Sequence, residues 1–412
     1  MRTRSVCATF RAAAVSAALL VAPVGASDSF AQTPALPTLA IERVTVLPMD
    51  RDTAMVDHTI LVSRDRIAWI GPSRDARIPA GTRRVDGRGA FVIPGLADMH
   101  VHLESAQDLA QLVEMGVTTV RNMRGSPRHL AWRDSVASGT LVGPTIFTSG
   151  PSLRGARRFG REDSRFEHVR TPRDADEIVR RQAAAGYDMI KVLYGLSLEE
   201  YQQVLASARR VRMPVVGHVI SAAGLERSLA AGQVSFEHAY NLHERSRLAS
   251  IVGDDAERSD QDARAIARAG AWVGTIASSR DGDCAPQPER LRAIIASLRR
   301  ANVRLLAGTD AGIGPVRAGS SLHCELRTLV TAGLTPYEAL ATATVNAGAF
   351  ARAHLVRSQV PLGTVSVGSR ADLVLLATDP RVDLGALARP VGVVLRGSWR
   401  PNSSARASGE RR

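Results

Sequence analysis

The chain has 412 residues, 45% hydrophobic and 23% charged, enough for one large domain or two modest ones, which excludes a disordered or fibrous protein. Its formal net charge is +13, and of its 53 basic residues all but one are arginine; the exception is Lys191. The arginines are scattered through helices and loops and aromatics make up only 4% of the chain, so the charge reads as a coding bias toward arginine and no nucleic-acid partner is expected.

In chain order, residues 1–31 carry the pattern of a secretory signal peptide. Arg2, Arg4 and Arg11 precede an apolar run from Ala12 to Ala22, followed by small residues up to Ala26 and Ala31, either of which suits a cleavage site. Cys7 lies ahead of the apolar run, the wrong place for lipid attachment, and no later stretch reaches the roughly 20 continuous apolar residues of a membrane span. An exported protein, periplasmic or secreted and without a membrane anchor after cleavage, is expected. In an oxidising compartment Cys284 and Cys324 can sustain a disulfide, although the sequence leaves their separation open.

Residues 32–92 hold short β-type runs, Ile41–Leu47, Thr59–Val62 and Ile67–Ile70, broken by turn signals at Pro79-Ala80-Gly81 and Asp86-Gly87. The pattern returns over 353–400, at Gly363-Thr364-Val365, Ala371–Leu376 and Val391–Leu395, so both termini are expected to build one small composite β-sandwich domain. Between them, residues 93–352 alternate strand-like and helix-like runs. The strand candidates are Phe91–His100, Val117–Asn122, Thr145–Ser149, Tyr187–Leu193, Val215–Val219, Val234–Ala239, Trp272–Ile276 and Val303–Thr309. Thr171-Pro172 and the capping box Ser197-Leu198-Glu199-Glu200 open two of the intervening helices. Eight βα units in about 250 residues match a closed (β/α)8 TIM barrel, an α/β fold, better than an open sheet. The polar, basic segment 401–412 reads as a disordered tail.

In such a barrel, chemistry belongs at the C-terminal strand ends. The first strand ends in Asp98-Met99-His100-Val101-His102, and residues two apart on a strand point the same way, so His100 and His102 can share a metal. The fourth strand ends with Lys191, the fifth with His218, the sixth with His238 and the eighth with Asp310. Each has a bland alternative. His218 fits a core histidine, His238 a surface residue, Asp310 a helix-capping aspartate and Lys191 a snorkelling lysine. Taken together, the bland alternatives require five coincidences, each at the right end of its strand.

These residues, with Ala90-Phe91-Val92-Ile93-Pro94-Gly95, Gly116-Val117-Thr118-Thr119-Val120-Arg121, Ala332–Leu340 and Gly368–Val374, resemble the amidohydrolase superfamily over nearly the whole mature chain, in the branch similar to imidazolonepropionase and the binuclear Xaa-Pro dipeptidases. The resemblance implies two divalent metals, zinc being suited to the ligand set: His100, His102 and Asp310 would hold the more buried one and His218 and His238 the other. Lys191 would carry a CO2-derived carbamate bridging both, a role arginine cannot take because its guanidinium stays protonated. The implied chemistry is hydrolysis by a hydroxide bridging two metals about 4 Å apart, with Asp310 as the catalytic proton carrier.

For the substrate, Tyr194 and His323 are candidates to line the pocket mouth, and the arginine-rich loop Arg154–Arg165 is either a carboxylate-binding segment or a solvated flexible loop. Three positions depart from the family pattern: Asn122 where many relatives have Asp, Ile220 where a His or Tyr is frequent, and the arginine-rich Leu153–Gly160 in place of a Gly- and His-rich loop. All three put a specific dipeptidase assignment in doubt. The expectation is an amidohydrolase cleaving an amide or other C–N bond of a small molecule, with a dipeptide or N-acyl amino acid favoured and self-association left open. The alternatives are a mononuclear cyclic-amide hydrolase or deaminase, a lactonase-type ester hydrolase, and a non-catalytic scaffold.

Overall fold

The computed structural model describes residues 36–156, 163, 165–242, 256–277, 289–313, 316–358 and 361–402. The expected signal segment, Cys7, His243, Cys284 and the tail beyond Asn402 lie outside the described residues, as do Arg157, Arg158 and Arg161 of the arginine-rich loop. Among the described residues, no helix is long and apolar enough to cross a membrane.

Five strands come from the N-terminal part: β1 (Leu39–Val46), β2 (Met55–Ser63), β3 (Arg66–Pro72), β4 (Arg83–Asp86) and β5 (Phe91–Pro94). β1 is bulged between Ile41 and Val44, where Arg43 adopts φ 56°, so its first half pairs in parallel with β4 and its second half with β5. β4 has the charged pattern Arg83-Arg84-Val85-Asp86, which offers no alternating apolar signal, and the sequence reading missed it.

Ten strands follow: β6 (Leu96–Val101), β7 (Val117–Asn122), β8 (Thr145–Thr148), β9 (Ser152–Gly155), β10 (Phe166–Val169), β11 (Ile190–Val192), β12 (Val215–Gly217), β13 (Ser235–Glu237), β14 (Trp272–Gly274) and β15 (Arg304–Leu306). Eight of them, all but β9 and β10, are the barrel strands, each falling within or against a predicted run, and every ladder between them is parallel. The sheet closes at two seams. Asp188 N donates to the Thr148 carbonyl across β8 and β11, and on the other side Met99 N donates to Ala307 O while Thr309 N and Asp310 N both donate to His100 O. Between the strands, Thr171 caps the helix Pro172–Ala184 and Ser197 caps the helix Leu198–Arg210 with Glu200 completing its box.

The predicted run Phe91–His100 is in fact two strands. At Gly95 the chain leaves the terminal sheet and enters the barrel; Gly95 N donates to the Asp372 carbonyl, and the next amide, Leu96 N, donates to Gly116 O. A Cβ at Gly95 would fall 2.1 Å from Thr118 Oγ1, so only glycine lets the crossing pass this close.

The C-terminal strands β16 (Leu373–Leu376), β17 (Gly392–Leu395) and β18 (Ser398–Pro401) return to β5, completing one mixed eight-stranded sheet in the order β18-β17-β16-β5-β1-β2-β3 with β4 on β1. Its own core joins Leu39, Ile41, Val62 and Ile60 to Leu373, Leu375 and Val394. Gly363-Thr364-Val365 forms no strand, although Val365 N still bonds to Pro48 O.

Two substitutions separate local from tertiary stability. Ser197→Ala removes one helix cap and is expected to cost about 1 kcal/mol in urea unfolding. Gly95→Ala is expected to cost more than that, because the added methyl meets Thr118 at the junction of the two sheets.

Candidate metal centre

The seam between β6 and β15 builds most of the site. Because Asp310 N bonds to His100 O, the carboxylate at the end of β15 is set against the histidines of β6: its Oδ1 lies 2.9 Å from His102 Nε2 and 3.2 Å from His100 Nε2. His238, just past β13, brings its ring centroid to 4.9 Å from that of His100, and His218, just past β12, lies 5.0 Å from His238. Lys191 in β11 points inward with Nζ 3.0 Å from His100 Nε2. All six predicted ligands are buried and meet in one place.

Ligand atoms of His100, His238 and Asp310 lie within 4.8 Å of one another, a set able to hold one metal ion. This trio draws on both of the ligand sets that the family resemblance implies, taking His100 and Asp310 from one and His238 from the other. The backbone bends hard to make it: His238 and Asp310 adopt φ of 63° and 61°, and Gly217, immediately before His218, takes φ 127°. Non-glycine residues in that region cost on the order of 1–3 kcal/mol each and persist where the surroundings over-determine them.

The donor chemistry fits a cation. His100 Nδ1 is 2.9 Å from Glu237 Oε2, and an ionised carboxylate only accepts, so the imidazole proton sits on Nδ1 and Nε2 presents a lone pair. That lone pair lies 3.0 Å from Lys191 Nζ, a donor, and 3.2 Å from Asp310 Oδ1, another acceptor. His102 Nδ1 and His218 Nδ1 are buried without a hydrogen-bond partner, and buried polar atoms left in that state are uncommon. Burial pushes His102 down to about 3 and, with the neighbouring imidazoles, holds His218 and His238 well below the usual histidine range, so all three imidazoles are neutral. Burial also brings the Lys191 amine down to about 8, against the opposing pull of Asp310 and Glu237.

Behind the ligands lie groups the sequence reading did not single out for the site. Glu237 accepts from Arg121 Nη2 on both oxygens at 2.8 Å and from Ser235 Oγ at 2.6 Å, and this pair holds Glu237 ionised although burial opposes it. Asp98 accepts from Thr309 Oγ1 at 2.7 Å and from the amides of His100 and Thr309, and burial raises it to about 7. The sequence signal was present in both cases: Asp98 shares the inward face with His100 by alternation, and Ser235 shares one with Glu237.

The two predicted substrate contacts separate. Tyr194 packs edge-on against His218 with 4.4 Å between ring centroids, at the site. His323 is buried in the helix Ser320–Thr331 with Nε2 2.9 Å from the Met115 carbonyl that follows the helix Ala106–Glu114, so it ties two helices together. The two described ends of the arginine-rich stretch lie in or beside the parallel strands β9 and β10. Arg154 lies in β9, 3.2 Å from His168 Nε2 and stacked 4.2 Å over the Phe166 ring. Nearer the centre, Arg124 is held by Glu104 at 2.8 Å, and its charge contributes to lowering the Lys191 amine.

A closed barrel carrying a histidine–aspartate cluster at its C-terminal strand ends, beside a sheet built from both termini, defines a class of metal-dependent hydrolases. The model of the amidohydrolase family matches residues 91–400, and the chain belongs to that family. It is 29% identical over 346 residues to adenine deaminase of Deinococcus radiodurans, covering 80% of this chain and 57% of the deaminase, so it spans little more than half of that relative. It is 28% identical over 413 residues to imidazolonepropionase of Micrococcus luteus, covering 87% of this chain and 96% of the relative. Among solved structures, a candidate prolidase of Bifidobacterium longum superposes with a TM-score of 0.72 at 26% identity, covering 89% of this chain and 96% of the other.

His100→Ala, His238→Ala and Asp310→Ala are each expected to abolish metal retention after dialysis against a chelator, read by elemental analysis. His323→Ala is expected to keep its metal and lose about 1–3 kcal/mol of stability, the cost of a broken buried hydrogen bond.

Proposed function

We propose that the protein is a binuclear amidohydrolase that cleaves the C–N bond of a dipeptide or N-acyl amino acid. The observation that carries this reading is the convergence of His100, His238 and Asp310 within one ligand distance, with His102, His218 and Lys191 closing around them. Three ligands suffice for one metal. The remaining two histidines and a buried lysine amine are donors left over, and a carbamate formed by CO2 on Lys191 Nζ would turn that amine into an anionic oxygen ligand for a second ion. Zinc suits imidazole and carboxylate donors together.

The metals, when bound, supply Lewis acidity toward the substrate carbonyl and lower the pKa of water at the site. Asp310 takes the proton of the attacking water on a carboxylate oxygen and passes it to the leaving nitrogen as the C–N bond breaks. Tyr194 and Tyr240, whose hydroxyl is 3.3 Å from His238 Nδ1, flank the imidazoles on the side of β12 and β13. Arg124, mostly buried beside Glu104, is placed to exchange that partner for a substrate carboxylate. The likeness to a prolidase supports the same substrate class.

A second reading, a one-metal deaminase or cyclic-amide hydrolase, is favoured by the three-ligand group and by the likeness to adenine deaminase and imidazolonepropionase. The proposal also includes export, supported by the N-terminal residue pattern and by Cys324, which is disulfide-bonded; the chain's other cysteines lie outside the described residues.

Protein prepared in bicarbonate with zinc is expected to carry about two metals per chain, falling in Lys191→Ala. One metal in both proteins would favour the deaminase reading. Across a panel of dipeptides, N-acyl amino acids, adenine, imidazolones and lactones, release of free amino acid is expected, and turnover of lactones alone would overturn C–N cleavage. Arg124→Ala is expected to raise KM for carboxylate-bearing substrates about tenfold, the worth of one charged hydrogen bond.

A further inference from the structure

Three barrel strands converge on one buried carboxylate. Glu237 in β13, Arg121 in β7, Ser235 in β13 and His100 in β6 are all sealed from solvent. Oε1 of Glu237 accepts from Arg121 Nη2 and Ser235 Oγ, and Oε2 accepts from Arg121 Nη2 and faces His100 Nδ1 at 2.9 Å. The guanidinium is itself fixed: Nε donates to the Met99 carbonyl at 2.5 Å, Nη1 to Ser235 Oγ at 3.1 Å, and its carbon sits 4.9 Å over the Phe350 ring.

Space for this arrangement is reserved by glycines on the neighbouring strands. A Cβ at Gly274 in β14 would fall 2.3 Å from Glu237 Oε2, and one at Gly308 would fall 2.6 Å from His100 Cβ. A carboxylate packed for bulk alone would not need its near neighbour trimmed to a hydrogen atom. The clearance is at the oxygen that faces the imidazole.

We propose that Glu237, clamped by Arg121, is a positioning residue that fixes the tautomer and direction of the His100 imidazole, so that Nε2 is delivered to the metal with its lone pair free. Arg121 keeps the carboxylate an acceptor on both oxygens. The acceptor in turn dictates which imidazole nitrogen carries the proton. Without it the imidazole proton can sit on Nε2 and be donated to Asp310 Oδ1 3.2 Å away, a charge-assisted hydrogen bond that competes with metal binding. The inference rests on His100 being a ligand, as the proposed function requires.

The test is zinc affinity, measured by competition with a chromophoric chelator on the full chain, together with long-range proton–nitrogen NMR of the metal-free protein, with His100 assigned by its loss in His100→Asn. The wild type is expected to show His100 protonated on Nδ1. Glu237→Gln is expected to weaken zinc binding about 10–100-fold and to mix the His100 tautomers. Because that variant leaves Arg121 without its carboxylate and can lose stability for that reason alone, a double variant, Arg121→Met with Glu237→Leu, replaces both charges by apolar volume. Recovery of thermal stability with zinc affinity still reduced supports positioning, and recovery of both would reduce the pair to a core ion pair and overturn it. Gly274→Ala, which touches only the clearance beside Oε2, is expected to weaken zinc at least several-fold. Unchanged affinity in Glu237→Gln overturns the proposal, whereas failure of the wild type to bind zinc would instead sink His100 as a ligand.

Discussion

A buried cluster of imidazoles is useful to a metal only if its lone pairs converge, and convergence of acceptors is repulsive until the metal arrives. The seam that closes the barrel is what enforces it. By giving both Thr309 N and Asp310 N to one carbonyl, that of His100, the chain welds the last strand to the first at the level of the ligands. The carboxylate therefore cannot retreat from the histidines without breaking the sheet. The same seam holds Asp98 beneath them, bonded from Thr309, so that two acids and two histidines are stacked along a single junction.

The cost of that arrangement is spread outward. The ligand-bearing turns at His238 and Asp310 use backbone geometry that side chains avoid, and Ile276, just past β14, joins them at φ 40° although it is β-branched. Three consecutive strand ends are thus bent the same unfavourable way. Around these bends the barrel is closely packed: Leu109, Leu112, Val117, Val120, Leu326 and Leu329 belong to one buried apolar cluster. Surface ion pairs such as Arg173–Glu177 and Arg43–Asp57 add little to that balance, because solvent screens them and long side chains resist being held.

What the residue pattern revealed, and what it hid, follow from where the physics is local. Several barrel strands were legible because a parallel strand covered on both faces is a continuous apolar run, as in Val215–Gly217 or Trp272–Gly274. The residues of the buried cluster stood out because each lies at or near the end of such a run. β4 and β9 were hidden, since Arg83-Arg84-Val85-Asp86 and Ser152-Leu153-Arg154-Gly155 owe their strand form to partners far along the chain. His323 was misplaced as a pocket residue because a histidine near the start of a helix looks the same whether it faces a substrate or, as here, a carbonyl from another helix. The Arg121–Glu237 pair escaped for a related reason: the sequence shows two opposite charges more than a hundred residues apart, and only closure of the barrel shows that they are neighbours.

Gly95 gives the two sheets a common spine. One unbroken stretch of backbone, Phe91 to Val101, is edge-bonded to β16 at one end and carries His100 toward the site at the other, with a single residue between the two ladders. At this crossing there is no linker to cut. Truncation of the terminal sheet would remove the anchor that sets the height of the first barrel strand, and with it the depth at which the histidines stand. At this crossing the terminal sheet and the barrel therefore share one rigid length of backbone instead of a flexible joint.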